Sequence, residues 1–222
     1  MTVRLIWSTP DGDNLIAYMA RVSNPSNQGN GSTAPRLIRY LIDNRHWSPF
    51  EMVNACFEIK TSRAIGRQLL RHRSFSFQEF SQRYAEVTSD NFSELKTEAR
   101  TKGTTNRQSS IPDNSLNHTW SDMQCNVYFH NYGYYEAALK TGIAPELARN
   151  LLPEGLTPTT LYMNGTLRSW LHYIAIRTDE HTQREHRDIA LEIAECLRKE
   201  YPNTFAAFDE THFKHEMGSK TP

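Results

Sequence analysis

The alternation of apolar residues with mostly polar ones within positions 52–60 constrains the fold of this chain more than any other feature of its sequence. In the segment MVNACFEIK the apolar side chains occupy every second position, at Val53, Ala55, Phe57 and Ile59. Because successive side chains of a strand point to opposite faces, a period of two predicts a strand that is buried on one face only. Strands of this kind are typical of antiparallel sheets.

Helical patterns cover more of the chain than strand patterns do. A shorter strand is predicted at residues 3–8, and Asp13 is placed to cap the first helix. Residues 88–117 lack a clear period and predict a long surface excursion. Together the patterns predict an α+β fold in which helices are in the majority. The predicted helices cover residues 13–22, 35–46, 62–72, 118–141, 145–152, 166–177 and 183–200.

Length and charge exclude several classes of protein. A chain of 222 residues fits one domain, covering 1–222, or one domain with a small helical extension. Lysine plus arginine equals aspartate plus glutamate at 25 each, so no global field favours stable binding to nucleic acid or to an anionic membrane. No apolar run approaches the roughly 20 residues that span a bilayer, and the N-terminus lacks the pattern of a secretory signal.

Cysteine spacing bears on the compartment of the protein. Cys56, Cys125 and Cys196 are far apart and form no CxxC pair. This spacing argues for a reducing, cytoplasmic location, with no disulfide framework and no zinc site. We interpret all three thiols as buried and inert.

Arginines dominate the segment that follows the alternating strand. On the predicted helix 62–72, Arg63, Arg67 and Arg71 fall at i, i+4 and i+8 on one stripe. Like charges at this spacing repel by a few tenths of a kcal/mol per pair, so an anionic group is expected against part of the stripe. The alternative is a solvated face whose arginines pair with acids elsewhere in the chain.

The residues after this helix have the chemistry of a nucleotide site. Arg71-His72-Arg73 is followed within ten residues by hydroxyls, amides, a carboxylate and Arg83, interleaved with phenylalanines. Guanidinium groups bind phosphate bidentately, and the shorter polar groups can read the remaining edges of a nucleotide.

This segment resembles the signature of the flavin-dependent thymidylate synthases, RHR-x-x-S-x-N-E-x-S-x-R-Y. The one departure is Gln78, where the family usually has asparagine, which keeps the amide but lengthens the side chain. Other pieces look like family segments in family order: ARVS at 20–23, HWSPFE at 46–51, ELARNLLP at 146–153 and the stretch 167–187. The matching signature positions are Arg71, His72, Arg73, Ser76, Glu79, Ser81, Arg83 and Tyr84.

The resemblance implies a fold and a reaction. The family has an antiparallel sheet flanked by helices and forms homotetramers with shared active sites. It methylates dUMP to dTMP, with methylenetetrahydrofolate as one-carbon donor and FAD reduced by NADPH as hydride donor. We therefore expect this activity, these cofactors and this assembly.

The resemblance also implies site residues. Arg149 is expected to reach the dUMP cradle from another subunit, Gln82 is expected to act through its backbone, and Thr166 stands where relatives often have asparagine. The expected dUMP contacts are Gln68, Arg71, Glu79, Ser81, Gln82, Arg83, Arg149 and Arg177. The expected FAD contacts are Ser23, His46, Ser48, Glu51, Arg71, His72, Arg73, Ser74, Gln78, Glu79, Thr166, Arg168 and His172.

Arg177 matches the family arginine that activates the uracil ring. Carbon 5 of uracil is a weak nucleophile unless negative charge builds on the ring. A guanidinium fixed against the ring oxygens stabilises that charge and stays protonated at any physiological pH. The alternative role is an interaction of Arg177 with a helix C-terminus.

Competing interpretations are weaker. The arginine segment with its phenylalanines is also compatible with a non-enzymatic single-stranded nucleic-acid or nucleotide binder. Residues 29–34 fit a dinucleotide fingerprint but lack the preceding strand. His181, Glu185 and His186 lack the spacing of a metal motif, so no metal is expected. Ser81 has no visible histidine base, so a hydrogen-bonding role is favoured over a nucleophilic one.

Overall fold

A computed structural model describes the backbone of residues 1–88, 92–104 and 109–218, with side chains to residue 211. Parts of the predicted excursion 88–117 and the end of the predicted domain 1–222 lie outside the described residues. The strands are β1 Thr2–Ser8, β2 Asn54–Ser62, β3 Ser76–Glu79, β4 Arg100–Lys102, β5 Ser110–Pro112 and β6 Pro158–Thr166. The helices are α1 Gly12–Ala20, α2 Ala34–Asp43, α3 Arg63–Leu69, α4 Phe92–Leu95, α5 Asn117–Lys140, α6 Pro145–Ala148, α7 Leu167–Arg177, α8 Arg184–Glu200 and α9 Pro202–Gly218.

Four of the described strands form an antiparallel sheet in the order β1-β2-β6-β3. The alternation in β2 has the predicted effect, because Ala55, Phe57 and Ile59 are fully buried while the residues between them are partly exposed. The predicted α+β class with an antiparallel sheet and many helices is therefore confirmed.

Strand β6 lies at the centre of the sheet although its sequence does not predict a strand. Its inward positions include Thr159 and Gly165 as well as Leu161 and Met163, so apolar alternation is incomplete. Gly165 is required by packing, because a Cβ there would lie 2.4 Å from Cδ1 of Phe75. This close approach lets Phe75, which directly precedes β3, pack into the core.

One face of the sheet is covered by helices. The core joins β2 and β6 to α7, α8 and α9, with Trp170, Tyr173 and Phe205 among its largest buried side chains. Helix α9 was not predicted from the sequence. Within the part of the chain that the structure describes, no helix combines the length and apolar character needed to cross a membrane.

The predicted surface excursion contains more structure than its sequence suggests. It includes α4 and the β4–β5 hairpin. The backbone N–H of Thr97 donates to the side-chain oxygen of Gln124 in α5 at 2.9 Å, and the Gln124 side-chain NH₂ donates to the Thr97 backbone oxygen at 3.0 Å. The three cysteines are half-buried rather than buried, and burial raises the pKa of the Cys56 and Cys196 thiols.

A second, smaller core lies between α5 and α6. Tyr135 and Ala138 pack there with Val87 and Ala148, and the Tyr135 hydroxyl accepts a hydrogen bond of 3.0 Å from the Val87 backbone. This packing holds the chain after β3 against α6. It determines where Arg149 lies.

Asp13 caps a different helix from the one that the sequence suggests. Helix α1 begins after Asp11, and the buried Asp13 carboxylate accepts hydrogen bonds from the backbone of Asn203 at 2.7 Å and of Thr204 at 3.2 Å. The carboxylate satisfies two amide donors at the start of α9, which only tertiary contact could bring to it.

Replacing Asp13 with alanine is expected to lower the free energy of unfolding by about 1–2 kcal/mol, because the first turn of α9 loses its cap. Urea denaturation measures the change. Glu136→Ala, which removes an exposed acid from α5, is the control and should stay within about 0.5 kcal/mol. Equal effects of the two substitutions would show that the cap contributes nothing.

Candidate active site

A cavity of about 1210 Å³ opens between the α7–α8 connection, the β4–β5 hairpin and α5. Gln68 and Arg177, both expected to bind dUMP, lie in its wall. Trp120, Met123 and Ile176 supply apolar surface on other sides. A mostly concave wall with a few convergent polar groups is typical of a ligand site.

Arg177 ends α7 and is held by a histidine. Its Nε donates a hydrogen bond of 3.0 Å to Nε2 of His72. Burial, together with the charges of Arg177 and His172, lowers the pKa of His72 to about 4. The imidazole is therefore neutral near pH 7 and can accept this bond. Among the described residues, no hydrogen bond or ion pair engages the terminal nitrogens of this guanidinium, so they can face a ligand.

Gln68 is held by two residues of the α8 region. Its Nε2 donates a hydrogen bond of 2.7 Å to Oε1 of Gln183, and Nδ1 of His186 donates one of 3.1 Å to its Oε1. His186 is completely buried, and its pKa is lowered to about 3 by burial and by the charges of Arg177 and His72.

These two histidines make stability depend on pH. Both stay neutral in the folded protein below their ordinary pKa of 6.5, while the unfolded chain takes up protons there. The free energy of unfolding should therefore fall as the pH falls from about 6.5 to about 4. Urea midpoints at pH 7 and pH 5 test this. His186→Gln, which cannot titrate, should show a smaller drop; an unchanged drop would contradict the assignment.

A second cavity, of about 250 Å³, collects arginines on the other side of α3. Arg63, Arg67, Gln82 and Arg149 line it. Gln82 is buried, and its Nε2 has no hydrogen-bond partner among the described residues. A buried amide donor beside guanidinium groups suits an anionic ligand, since such donors are seldom left unpaired.

Two expectations bear on this cavity and stay predictions. The side chain of Gln82, and not only its backbone, lies in the cavity wall. Arg149 lies with Gln82 in one chain, so another subunit is not needed to bring these two together. Arg83, which is exposed nearby, pairs with Glu146 at 3.3 Å.

The arginine stripe is largely neutralised by the chain itself. Helix α3 ends at Leu69, before Arg71, rather than continuing to residue 72. Nitrogens of Arg63 and Arg67 lie 3.4 Å from carboxylate oxygens of Glu79 and Glu154 respectively. The anion predicted against the stripe is thus, for two of its three arginines, a protein carboxylate.

Several expected flavin contacts meet at the start of α7. Thr166 caps the helix by accepting from the Ser169 backbone, and its hydroxyl donates a hydrogen bond of 3.2 Å to Glu51. Arg168 also pairs with Glu51. Ser169 donates to the backbone oxygen of Ser74 at 3.3 Å, which joins this group to the turn after α3.

That turn presents unpaired cations. Arg71 and Arg73 are exposed, and no carboxylate among the described residues lies within ion-pair distance of either. Two free guanidinium groups beside the Ser74 hydroxyl match the oxygens of a pyrophosphate. The donor set therefore fits an anionic dinucleotide.

The remaining expected residues are more scattered. His172 is exposed on α7 and lies close enough to affect His72. Ser23, Ser48, Gln78 and Ser81 are exposed, and His46 makes a ring contact with Tyr40. Among the described side chains, neither Ser23 nor His46 makes a hydrogen bond, ion pair or ring contact with another member of the flavin set. Glu79 accepts a hydrogen bond of 2.9 Å from Thr159.

The sequence does not predict some residues in and behind these cavities. No motif marks Gln183 or Arg63, and the pattern around His186, which lies behind Gln68, suggests only a metal ligand. The described residues contain no group of three or more His, Cys, Asp or Glu able to hold a metal. The position of Arg63 on the arginine stripe of α3 is the one feature of the sequence that could have indicated it.

Known proteins similar to this chain match it over nearly its whole length. Residues 4–203 match the family described as "Thymidylate synthase complementing protein". A "Probable flavin-dependent thymidylate synthase" from Paramecium bursaria Chlorella virus 1 is 48% identical over 89% of this chain and 90% of its own. A "Flavin-dependent thymidylate synthase" from Synechocystis is 45% identical, with 90% of each covered. A crystal structure of a UMP/dUMP methylase, PolB from Streptomyces cacaoi bound with 5-Br dUMP, superimposes with a TM-score of 0.81 at 30% identity, covering 94% of both chains.

Proposed function

This chain belongs to the family of flavin-dependent thymidylate synthases, and on that premise we propose that the larger cavity at Arg177 and the smaller cavity at Arg149 bind the two ends of dUMP. The enzyme methylates dUMP to dTMP, with methylenetetrahydrofolate as one-carbon donor and FAD reduced by NADPH. FAD, when bound, supplies the hydride that completes the methyl group. The other steps depend on residues of this chain.

Arg177 activates the uracil ring in this proposal. The observation that carries it is the hydrogen bond from Arg177 Nε to His72 in the wall of the larger cavity. A neutral imidazole that accepts a hydrogen bond from Nε fixes the guanidinium and leaves its positive charge in place. A carboxylate in the same position would cancel that charge. The fixed positive charge then stabilises the anion that forms on the ring.

The smaller cavity binds the phosphate of dUMP. Arg149 and Gln82 provide donors there, and Arg83 lies nearby. Arg63, which pairs with Glu79 at 3.4 Å, also lies in its wall. A phosphate would supply the missing acceptor for the buried Gln82 amide.

One dUMP uses residues of two chains. Among the residues that the structure describes, none lines both cavities, so the ring-binding and phosphate-binding groups of one chain face different spaces. We propose a homotetramer with shared sites. Large exposed apolar side chains on and after α5, including Phe129, Tyr134 and Leu147, favour burial against another chain.

FAD lies along the turn and the first part of α7. Arg71, Arg73 and Ser74 hold its pyrophosphate, while Arg168 and His172, four residues apart on an exposed face, lie beside the ring. The proposed set also includes His46, Ser48, Glu51, Ser23, His72, Gln78, Glu79 and Thr166. We further propose that residues 1–222 form one domain that acts in the cytoplasm.

The visible spectrum of the purified protein tests this function. A flavin band near 450 nm should bleach on anaerobic addition of NADPH, and dUMP should change its rate or shape. Arg71→Ala/Arg73→Ala should lower flavin occupancy, because two charge-assisted contacts are lost. Glu94→Ala, an exposed change on α4, is the control. A colourless protein that takes up no flavin and absorbs near 260 nm would instead support a nucleic-acid binder.

A further inference from the structure

Four side chains form a hydrogen-bonded series whose two middle members, Gln183 and Gln68, lie in the wall of the larger cavity. Gln183 Nε2 donates to a carboxylate oxygen of Glu185 at 2.9 Å, and Gln68 Nε2 donates to Gln183 Oε1 at 2.7 Å. His186 Nδ1 donates to Gln68 Oε1 at 3.1 Å. We name this series the amide chain.

The charge of Glu185 gives the amide chain a direction. Glu185 is buried, and its other carboxylate oxygen pairs with Arg100 of β4. A carboxylate can only accept, so Gln183 must turn its NH₂ group toward Glu185 and its oxygen toward Gln68. Gln68 must in turn place its oxygen toward His186. Each amide therefore has one allowed orientation.

The same direction selects one tautomer of His186. Its Nδ1 must carry the proton, because it faces an amide oxygen. Its Nε2 is then an acceptor, and this buried atom has no hydrogen-bond partner among the described residues. The charge of Glu185 is thus transmitted through two amides to an imidazole.

We propose that Glu185, Gln183 and His186 are positioning residues that fix the orientation of the Gln68 amide toward dUMP. This inference rests on the proposed role of Gln68 as a dUMP contact. With one NH and one oxygen lone pair used by the chain, Gln68 keeps one donor and one acceptor in fixed places. A flipped amide would present the wrong group to each polar atom of the nucleotide.

Glu185→Gln should reverse the direction of the hydrogen bonds along the amide chain. Arg100 retains the oxygen of the new amide, so its NH₂ group faces Gln183. Gln183 must then accept, Gln68 must turn its NH₂ group toward His186, and His186 must move its proton to Nε2. Adding Gln183→Glu restores the original direction, because a carboxylate at 183 accepts from both neighbours.

Histidine tautomers report the direction independently of turnover. In ¹⁵N-histidine-labelled holoenzyme, His186 should carry its proton on Nδ1, and His186→Gln identifies its signal. Glu185→Gln should move the proton to Nε2, and Glu185→Gln/Gln183→Glu should return it to Nδ1. Glu180→Gln removes a charge from the same cavity wall and should leave the tautomer unchanged. A tautomer that is the same in all four proteins would overturn the proposal.

Kinetics separate this inference from the proposed function. We expect Glu185→Gln to raise the KM for dUMP about tenfold with little change in kcat, since about one hydrogen bond is lost. The double variant should recover most of that loss. If Glu185→Gln changes the tautomer of His186 but leaves the KM for dUMP unchanged, the amide chain exists and Gln68 is not a dUMP contact. That result overturns the proposed role of the amide chain in dUMP binding. If neither the wild-type protein nor any of these variants binds dUMP, the proposed function itself fails.

Discussion

Arg177→Ala is expected to lower kcat by about 100- to 1,000-fold, the usual cost of removing one preorganised donor from a developing anion. Flavin content should not change, because Arg177 lies with Gln68 in the larger cavity and not with the exposed arginines of the turn. Stopped-flow reduction of the flavin by NADPH and single-turnover formation of dTMP measure the two steps separately. Only dTMP formation should be lost.

Two further variants sharpen this test. Arg187→Ala removes another guanidinium from the same cavity wall and should retain most of its activity, since the charge of Arg187 is not held against His72. Arg177→Lys keeps the charge but loses the fork and the Nε donor, so it should recover little. Near wild-type turnover of Arg177→Ala at saturating dUMP would mean that the ring is activated by another group.

Mixing two inactive variants should restore activity if dUMP sites are shared. Arg177→Ala and Arg149→Ala disable the ring-binding and phosphate-binding cavities separately. In a random mixed oligomer, about a quarter of the sites draw both intact arginines, one from each kind of chain. Co-expression with two affinity tags, followed by tandem purification, gives the hybrid, and specific activity should rise far above that of either parent.

The hybrid experiment has a built-in control. Arg177→Ala co-expressed with a differently tagged Arg177→Ala chain undergoes the same handling but can form no intact site, so its activity should stay low. Absence of recovery in the mixed hybrid would show that one chain supplies both arginines to one nucleotide. Light scattering then reports whether the active species is a tetramer or a smaller assembly.

Periodicity predicted most of the elements that bury apolar surface regularly. Strands β1 and β2, the long helix α5 and helices α7 and α8 were predicted within a few residues of their observed bounds. Strand β6 was missed because Thr159 and Gly165 occupy inward positions that pattern analysis treats as polar or neutral. Its place in the sheet depends on pairing with β2 and on contact with Phe75, which are properties of the folded chain.

The resemblance predicted which residues to examine but not how they are grouped. The expected site residues include Gln68 and Arg177 in the larger cavity, Gln82 and Arg149 in the smaller cavity, and Arg71 and Arg73 on the exposed turn. Adjacent residues of α3 separate because successive positions on a helix lie about 100° apart, so Arg67 and Gln68 face different cavities. The spacing of these residues along the sequence does not predict which of them share a cavity.

The sequence by itself determined the class of fold, the family and the segment that carries the chemistry, because residue type and period are local properties. Only the tertiary structure decided that His72 accepts from Arg177, that Asp13 caps α9 and that Glu185 orients Gln68 through Gln183. Each of these contacts joins groups that are distant in sequence or on different elements. Their direction and protonation depend on burial and neighbouring charge, which exist only after the chain has folded.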